Sequence, residues 1–168
     1  QLRLKNAAND GRIDPNKQFD FSEIYIFGKF ENFVKRVTSI KILLETIEGY
    51  RGIAKCHIDG IDSINSSFDG IVATIRKKRY DVLDHRKTEF NTDYKNFRND
   101  MDKLEQQLVN FMDATFDKLN TIEQFEAMMA RFRKLDFPCL REEIPHKYEI
   151  YAQLYKERLE SIQREYND

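Results

Sequence analysis

Apolar residues recur every three or four positions along five stretches of this chain, with polar residues between them. Such spacing places the apolar side chains on one face of an α-helix. Residues 1–20 contain Asn, Asp, Gly and Pro at close intervals and are predicted to be an irregular lead-in. The predicted fold is therefore all-α, an elongated bundle of about five amphipathic helices over residues 21–168 that forms part of a larger helical array. The predicted helices are about Ser22–Glu48, Asp59–Lys78, Asp84–Leu119, Thr121 to the residues before Pro138, and Pro145–Tyr166.

The longest predicted helix, the third, has the most regular pattern. Its apolar steps alternate between four and three residues, which is typical of a seam that packs along a partner helix at a shallow angle. The seam consists of Phe90, Tyr94, Phe97, Met101, Leu104, Leu108, Phe111 and Thr115. Thr121 and Gln124 match a capping box at the start of the fourth helix.

The first predicted helix has an apolar stripe that we expect to face a core, whereas the stripe of the fifth is amphipathic. In the first helix the stripe is Phe27, Phe30, Phe33, Val34, Val37, Ile40, Leu44 and Ile47. In the fifth it is Ile144, Tyr148, Tyr151, Tyr155, Leu159, Ile162 and Tyr166. Tyrosines on adjacent turns also suit a half-buried surface that meets a partner.

The composition excludes several classes of function. Of 168 residues, 34% are charged, and 28 basic against 29 acidic residues leave a net charge of −1. This balance lacks the basic excess that nucleic acid selects, so no nucleic-acid partner is predicted. No run approaches the roughly 20 apolar residues that span a bilayer, so no membrane partner is predicted either. The two cysteines, Cys56 and Cys139, are predicted to be free thiols in a reducing compartment.

Few residues have the chemistry of an active site. The chain contains neither a phosphate-binding G-x-x-x-x-G-K-[ST] loop nor a G-x-G-x-x-G motif. The spacing of Cys56, His57, Cys139 and His146 departs from the close ligand pairs of zinc sites. The polar cluster of Asp81, Asp84, His85 and Arg86 fits either an acid–base site or the capping of the next helix. We predict no catalytic, cofactor-binding or metal-binding residue and disfavour a helical metalloprotein, because the inward positions are aromatic or aliphatic.

Two groups of residues are candidates for partner binding. The basic run is Arg76, Lys77, Lys78 and Arg79, and the tyrosine group is Tyr148, Tyr151 and Tyr155. The basic run fits cations at a helix C-terminus better than it fits an acidic partner. The tyrosine group fits a partner contact or core packing. Both alternatives stay open for each group.

Several stretches, in order, resemble the N-terminal tail of dynein heavy chains. They are FDFSEIYIFGKFENFVKRV at 19–37, CHIDGIDSI at 56–64, KKRYDVLDHRKTEFNTDYKNF at 77–97 and RFRKLDFPCL at 131–140, the last following LVNFMDATFDKL. The resemblance extends over most of residues 19–166 and is strongest to axonemal heavy chains of the outer-arm type. It implies a non-catalytic segment of a helical tail, whose full-length chain would be an ATP-driven microtubule motor.

The same resemblance implies partners and a location. Tails of this family associate with other heavy chains, intermediate chains and light chains, and they anchor the motor to the doublet microtubule of the ciliary axoneme. No cofactor is expected in this segment. The alternatives are a tail segment of the cytoplasmic type of dynein and an unrelated helical adaptor domain.

Overall fold

The computed structural model describes residues 15–84 and 86–167, with side chains from residue 25 onward. These residues form five α-helices and no strand, which confirms the predicted all-α class. The helices are α1 (Pro15–Tyr50), α2 (Asp62–Arg76), α3 (Glu89–Phe116), α4 (Ile122–Leu135) and α5 (Pro138–Asn167), and a 3₁₀ helix (Arg51–Lys55) follows α1. A search of the described helices for one with the length and apolar character to cross a bilayer finds none.

Helix α1 begins at Pro15 rather than at the predicted Ser22. Residues 15–20 are therefore helical, although they were assigned to the irregular lead-in; residues 1–14 lie outside the described part of the chain. Proline suits the first position of a helix, because its fixed φ is already helical and its missing N–H would have no partner there. Pro15 was interpreted as a helix breaker, but it marks the start of α1.

Helix α5 also begins at a proline that was interpreted as a stop. It starts at Pro138, seven residues before the predicted Pro145, which lies inside the helix. The preceding helix ends at Leu135, and Asp136 adopts a left-handed conformation with φ 45°. Burial of Leu140 in the first turn of α5, at 2% exposure, favours the helical start despite the interior proline.

By its internal contacts the chain separates into two compact units, residues 1–44 with 79–94 and residues 45–78 with 95–168. The second unit contains the larger core. At its centre the ring of Phe116 lies 5.2 Å from that of Phe125 and 5.5 Å from that of Phe132, centroid to centroid. Further buried side chains come from α2, α4 and α5: Ile64, Phe68, Val72, Met129, Leu135, Leu140 and Leu154.

The α3 seam is confirmed through Leu108 but shifts by one residue after it. Met112 and Phe116 are fully buried, whereas Phe111 and Thr115 are only half-buried. A strict heptad repeat drifts around a straight helix, which has 3.6 rather than 3.5 residues per turn. Two successive steps of four residues from Leu108 therefore follow the core face more closely.

The start of α4 forms as the sequence predicts. The Thr121 hydroxyl accepts a hydrogen bond from the Gln124 backbone N–H at 3.2 Å, which satisfies one free donor of the first turn. The Gln124 side-chain oxygen accepts in return from the N–H of Asn120, at 3.0 Å, one residue before the position expected of a capping box.

The first unit buries few apolar side chains. Among its described residues only Leu43 and Phe90 are buried apolar residues, and Arg36 is a buried cation. The Tyr80 ring meets Phe90 edge-on at 5.2 Å, and its hydroxyl donates to Asp93 at 2.7 Å. So small a core leaves much of the apolar surface of α1 uncovered.

Candidate docking surfaces

Helix α1 presents an apolar stripe to solvent. We define the α1 stripe as Phe27, Phe30, Val34, Val37 and Leu44, whose side chains are all exposed. Phe27 is 66% exposed and Phe30 is 61% exposed, values far from those of a core residue. The prediction that this stripe faces a core is therefore wrong for the described part of the chain.

A second apolar face explains the error. The buried residues of α1 include Leu43, Ile47 and Tyr50, which lie on a neighbouring side of the helix, and only Ile47 belonged to the predicted stripe. Because α1 has apolar residues on two faces, periodicity alone does not show which of the two faces is buried in this chain. A helix with two apolar faces needs a neighbour on each.

The border of the α1 stripe is charged but balanced. Glu31 and Lys35 pair across one turn at 3.3 Å, and both are largely exposed. Nearer the N-terminus of α1, on another side of the helix, the Lys29 ammonium lies 4.4 Å from the centroid of the Tyr25 ring, a cation–π contact. An apolar centre with a charged rim is the usual composition of a protein–protein interface.

The tyrosine group of α5 divides into two parts. The Tyr148 hydroxyl accepts from the Arg133 guanidinium at 2.5 Å. The Tyr151 ring packs against Phe125 at 5.1 Å and lies 6.4 Å from that of Tyr148. Tyr148 and Tyr151 therefore contact α4, whereas Tyr155 is 51% exposed.

Apart from Ile144, which is half-buried, the rest of the predicted α5 stripe is exposed too. Leu159, Ile162 and Tyr166 of this stripe lie in solvent. The buried residues of α5 are Leu140, Lys147 and Leu154, seven residues apart and on an adjacent face. Sequence reasoning missed this face because its central member is a lysine.

The basic run is exposed along its length. Arg76 is the last residue of α2 and Lys77 is its C-terminal cap. Cations are favoured there, because the backbone carbonyls at a helix C-terminus carry partial negative charge. Lys78 ends one segment of the second unit and Arg79 begins a segment of the first. Their position is compatible with both interpretations of the run.

The polar cluster before α3 forms a turn rather than a helix cap. The Asp84 carboxylate accepts from the backbone N–H of Arg86 at 3.0 Å and from its guanidinium at 3.2 Å. These hydrogen bonds lower the pKa of Asp84. Because α3 begins only at Glu89, the expectation that the cluster caps this helix is wrong. His85 lies outside the described residues.

The half-buried thiol of Cys139 lies close to a tyrosine–carboxylate pair. The Tyr50 hydroxyl donates to Glu105, and the Tyr50 ring stacks on Phe137 at 4.7 Å. Burial and the hydrogen bond to Glu105 raise the pKa of Tyr50. Burial, and after it the charge of Glu105, raises the pKa of the Cys139 thiol to about 11. The thiol is therefore protonated, and poorly nucleophilic, near neutral pH.

The reactivity of Cys139 provides a test of this arrangement. We expect alkylation of Cys139 by iodoacetamide to be slow at pH 8 and to accelerate as the pH approaches 11, because the thiolate is the reactive form. Glu105→Gln removes the negative charge, so it should lower the thiol pKa and speed the reaction at pH 9. Peptide mass spectrometry measures the rate. Glu126→Gln, on exposed α4 surface, is the matched control, and equal rates in both variants would contradict the assignment.

The Tyr50 hydroxyl and the Cys139 thiol also determine how the stability of the fold changes at alkaline pH. Both folded pKa values are raised above the ordinary values of 9.0 for cysteine and 10.0 for tyrosine. Their contribution to stability is therefore complete below about pH 9 and is lost as the pH rises above it, because the unfolded chain then loses protons more easily.

No cluster of three or more potential metal-ligating side chains occurs among the described residues. The surfaces that stand out are instead exposed apolar helix faces with balanced charge, which define the class as a helical scaffold. A family model described as dynein heavy chain, N-terminal region 1, matches residues 2–168. The chain belongs to this dynein heavy chain family, and the predicted resemblance is confirmed.

Similar curated proteins are axonemal. The chain is 40% identical over 150 residues to dynein axonemal heavy chain 8 of Mus musculus, covering 89% of this chain and 3% of that protein. It is 37% identical to dynein axonemal heavy chain 5 of Mus musculus, covering 89% and 3%. It is 30% identical to the dynein gamma chain, flagellar outer arm, of Chlamydomonas reinhardtii, covering 90% and 3%. The chain thus spans about 3% of the length of these relatives. No solved structure matches it.

Proposed function

We propose that this chain is a scaffold segment in the tail of an axonemal dynein heavy chain of the outer-arm type. In this proposal it supports association with other heavy chains, docks intermediate and light chains, and helps to anchor the assembled motor to doublet microtubules. It acts in the ciliary axoneme, has no catalytic role and needs no cofactor. Both the family match and the axonemal relatives support this role over a cytoplasmic-type tail or an unrelated adaptor.

The α1 stripe is the observation that carries the proposal. Its residues recur at steps of three, four, three and seven, so they form a line along one side of the helix. From Phe27 to Leu44 this line is about 25 Å long at 1.5 Å per residue. Its two phenylalanines are of the aromatic type that supplies much of the binding energy at protein interfaces. We propose that another subunit of the dynein arm covers this line.

Cross-linking of the intact arm tests which polypeptide covers it. Lys29 and Lys35 are exposed lysines on the same stretch of α1 as Phe30 and Val34, whereas Lys103 lies on the exposed side of α3 and serves as a reference. We expect cross-links from Lys29 and Lys35 to another heavy chain or an intermediate chain, identified by mass spectrometry of arms purified from cilia. If both lysines link only within their own chain, the α1 stripe is an internal contact and the docking role is wrong.

A substitution in the α1 stripe gives an independent readout. Phe30→Asp in the full-length heavy chain should reduce incorporation into purified arms at least tenfold, since an interfacial hot spot of about 2 kcal/mol or more would be replaced by a desolvated charge. Asn32→Asp adds the same charge at an exposed position on another side of α1 and should leave incorporation unchanged. Equal incorporation of the two variants would count against the stripe as a docking surface.

A further inference from the structure

The C-terminal part of α5 extends beyond the core of its unit. Leu154 is the last buried residue of this helix, and residues 155–167 are exposed throughout. At 1.5 Å per residue this portion of helix is about 20 Å long. An isolated helix of this length is marginal in water, so tertiary contacts normally stabilise it.

This portion has its own apolar line. We define the α5 stripe as Tyr155, Leu159, Ile162 and Tyr166, which follow steps of four, three and four and are all exposed. The spacing is that of a helix–helix seam. The line also continues the side of α5 on which Tyr148 lies, next to the buried face of Leu140, Lys147 and Leu154.

A groove lies beside the α5 stripe. Leu154, Ile162 and Glu165 of α5 line one side of it, and Asn120, Thr121 and Ile122 at the start of α4 line the other. A helix placed along the stripe would therefore meet the beginning of α4 as well as α5. Arg158 of α5 and Glu123 of α4 pair at 3.1 Å at the same end of the unit.

The charges around the α5 stripe favour a helix over a strongly charged surface. Residues 155–167 contain three basic and three acidic residues, Lys156, Arg158, Arg164, Glu157, Glu160 and Glu165. Arg164 pairs with Glu160 at 3.7 Å. Because this balance produces little net field, it gives no reason to expect an acidic or a basic partner. Burial of the apolar line by another apolar helix face is the interaction that the surface supports.

We propose that a following helix of the same heavy chain packs along the α5 stripe. The matched region is the N-terminal region of a heavy chain, and the chain spans about 3% of its relatives, so most of such a polypeptide follows this segment. A segment tethered in this way has an effective concentration of about millimolar, which a separate subunit rarely reaches. Stacked helical arrays cover the apolar faces of successive elements in this manner. This inference rests on one part of the proposed function, namely that the segment belongs to such a heavy chain.

Photo-cross-linking in the full-length heavy chain tests this proposal. Leu159 is replaced by the photoreactive residue p-benzoylphenylalanine, the arm is irradiated, and the cross-linked peptides are identified by mass spectrometry. We expect peptides of the same heavy chain that follow residue 168, with no increase in the mass of the polypeptide on a denaturing gel. Glu160, which is exposed on another side of α5, carries the same photoreactive residue in the control and should not give these peptides.

Two outcomes would overturn the proposal. One is a cross-link from position 159 to any other polypeptide, including a second heavy chain; the other is the absence of a cross-link. Hydrogen exchange of the unmodified arm checks the conclusion without a substitution: amides of 155–167 should be protected if a helix covers them and should exchange rapidly if they stay in solvent. These results do not depend on the cross-links from Lys29 and Lys35. The proposal for the α5 stripe can therefore fail while that for the α1 stripe holds, and the reverse.

Discussion

Replacing Phe116 by alanine is expected to lower the free energy of unfolding of the second unit by about 3–5 kcal/mol, the usual cost of truncating a buried phenylalanine. Phe116 is 0% exposed and contacts the rings of both Phe125 and Phe132. The substitution removes the apolar contacts of the ring and leaves a cavity among side chains of α3 and α4. Typical domains are stable by only 5–15 kcal/mol, so this loss should be visible as a lower urea midpoint.

The matched control for Phe116 is Phe30→Ala. Phe30 is 61% exposed in this chain, so its truncation should change the free energy of unfolding of the isolated chain by no more than about 0.5 kcal/mol. Circular dichroism at increasing urea concentration measures both variants. Similar losses in the two would mean that the α1 stripe is already covered within this chain. A small loss for Phe116→Ala would contradict its position at the centre of the core.

The elements that the sequence predicted best are those with one apolar face. The seam of α3 up to Leu108 agrees with the structure, because in this helix the apolar residues point in one direction and charged residues occupy the rest. The Thr121 cap is equally local, since it depends on a side chain and a backbone N–H three residues apart. Local chemistry and a single period are sufficient for such elements.

The helix faces of α1 and α5 were not predictable in the same way. Both helices have more apolar residues than one core can cover, and which of their faces is buried depends on neighbours that lie far away in sequence. The prolines at positions 15 and 138 had a related ambiguity, because proline ends one helix and begins another with the same fixed φ.

The candidate site was only partly visible in the sequence. The exposure of Tyr155 agrees with a partner-contacting tyrosine, but Tyr148 and Tyr151 pack against α4. The α1 stripe was recognised as an apolar line and assigned to the core, since a sequence pattern does not distinguish a core face from an interface. The signal available in the sequence was that Phe27 and Phe30 lie close to the charged pair of Glu31 and Lys35.

The second large effect concerns a charge that sequence reasoning missed. Lys147 is buried on α5, and its ammonium pairs with the Asp113 carboxylate of α3. The two side chains differ in environment, because that of Lys147 is 8% exposed and that of Asp113 is 45% exposed. Lysine is normally a surface residue, so the apolar period alone does not indicate that this face of α5 is buried.

Removing the two partners should therefore have unequal effects. Asp113→Ala leaves the ammonium of Lys147 in the core without a counter-ion, which should cost about 3–5 kcal/mol of unfolding free energy. Lys147→Met keeps an unbranched chain of similar length in the core and leaves Asp113 accessible to water. Its cost should be below about 1 kcal/mol, because a half-exposed carboxylate is readily hydrated.

The double variant Asp113→Ala/Lys147→Met distinguishes this account from a simple loss of contacts. It should be more stable than Asp113→Ala alone, because methionine removes the unpaired buried charge that makes the single variant costly. Urea unfolding of the four proteins gives the coupling energy directly. The contrary outcome is that the two single variants lose equal, small amounts of unfolding free energy and that their effects add. In that case the flexible aliphatic chain of Lys147 lets its ammonium reach solvent when Asp113 is absent, and the pair behaves as a surface ion pair.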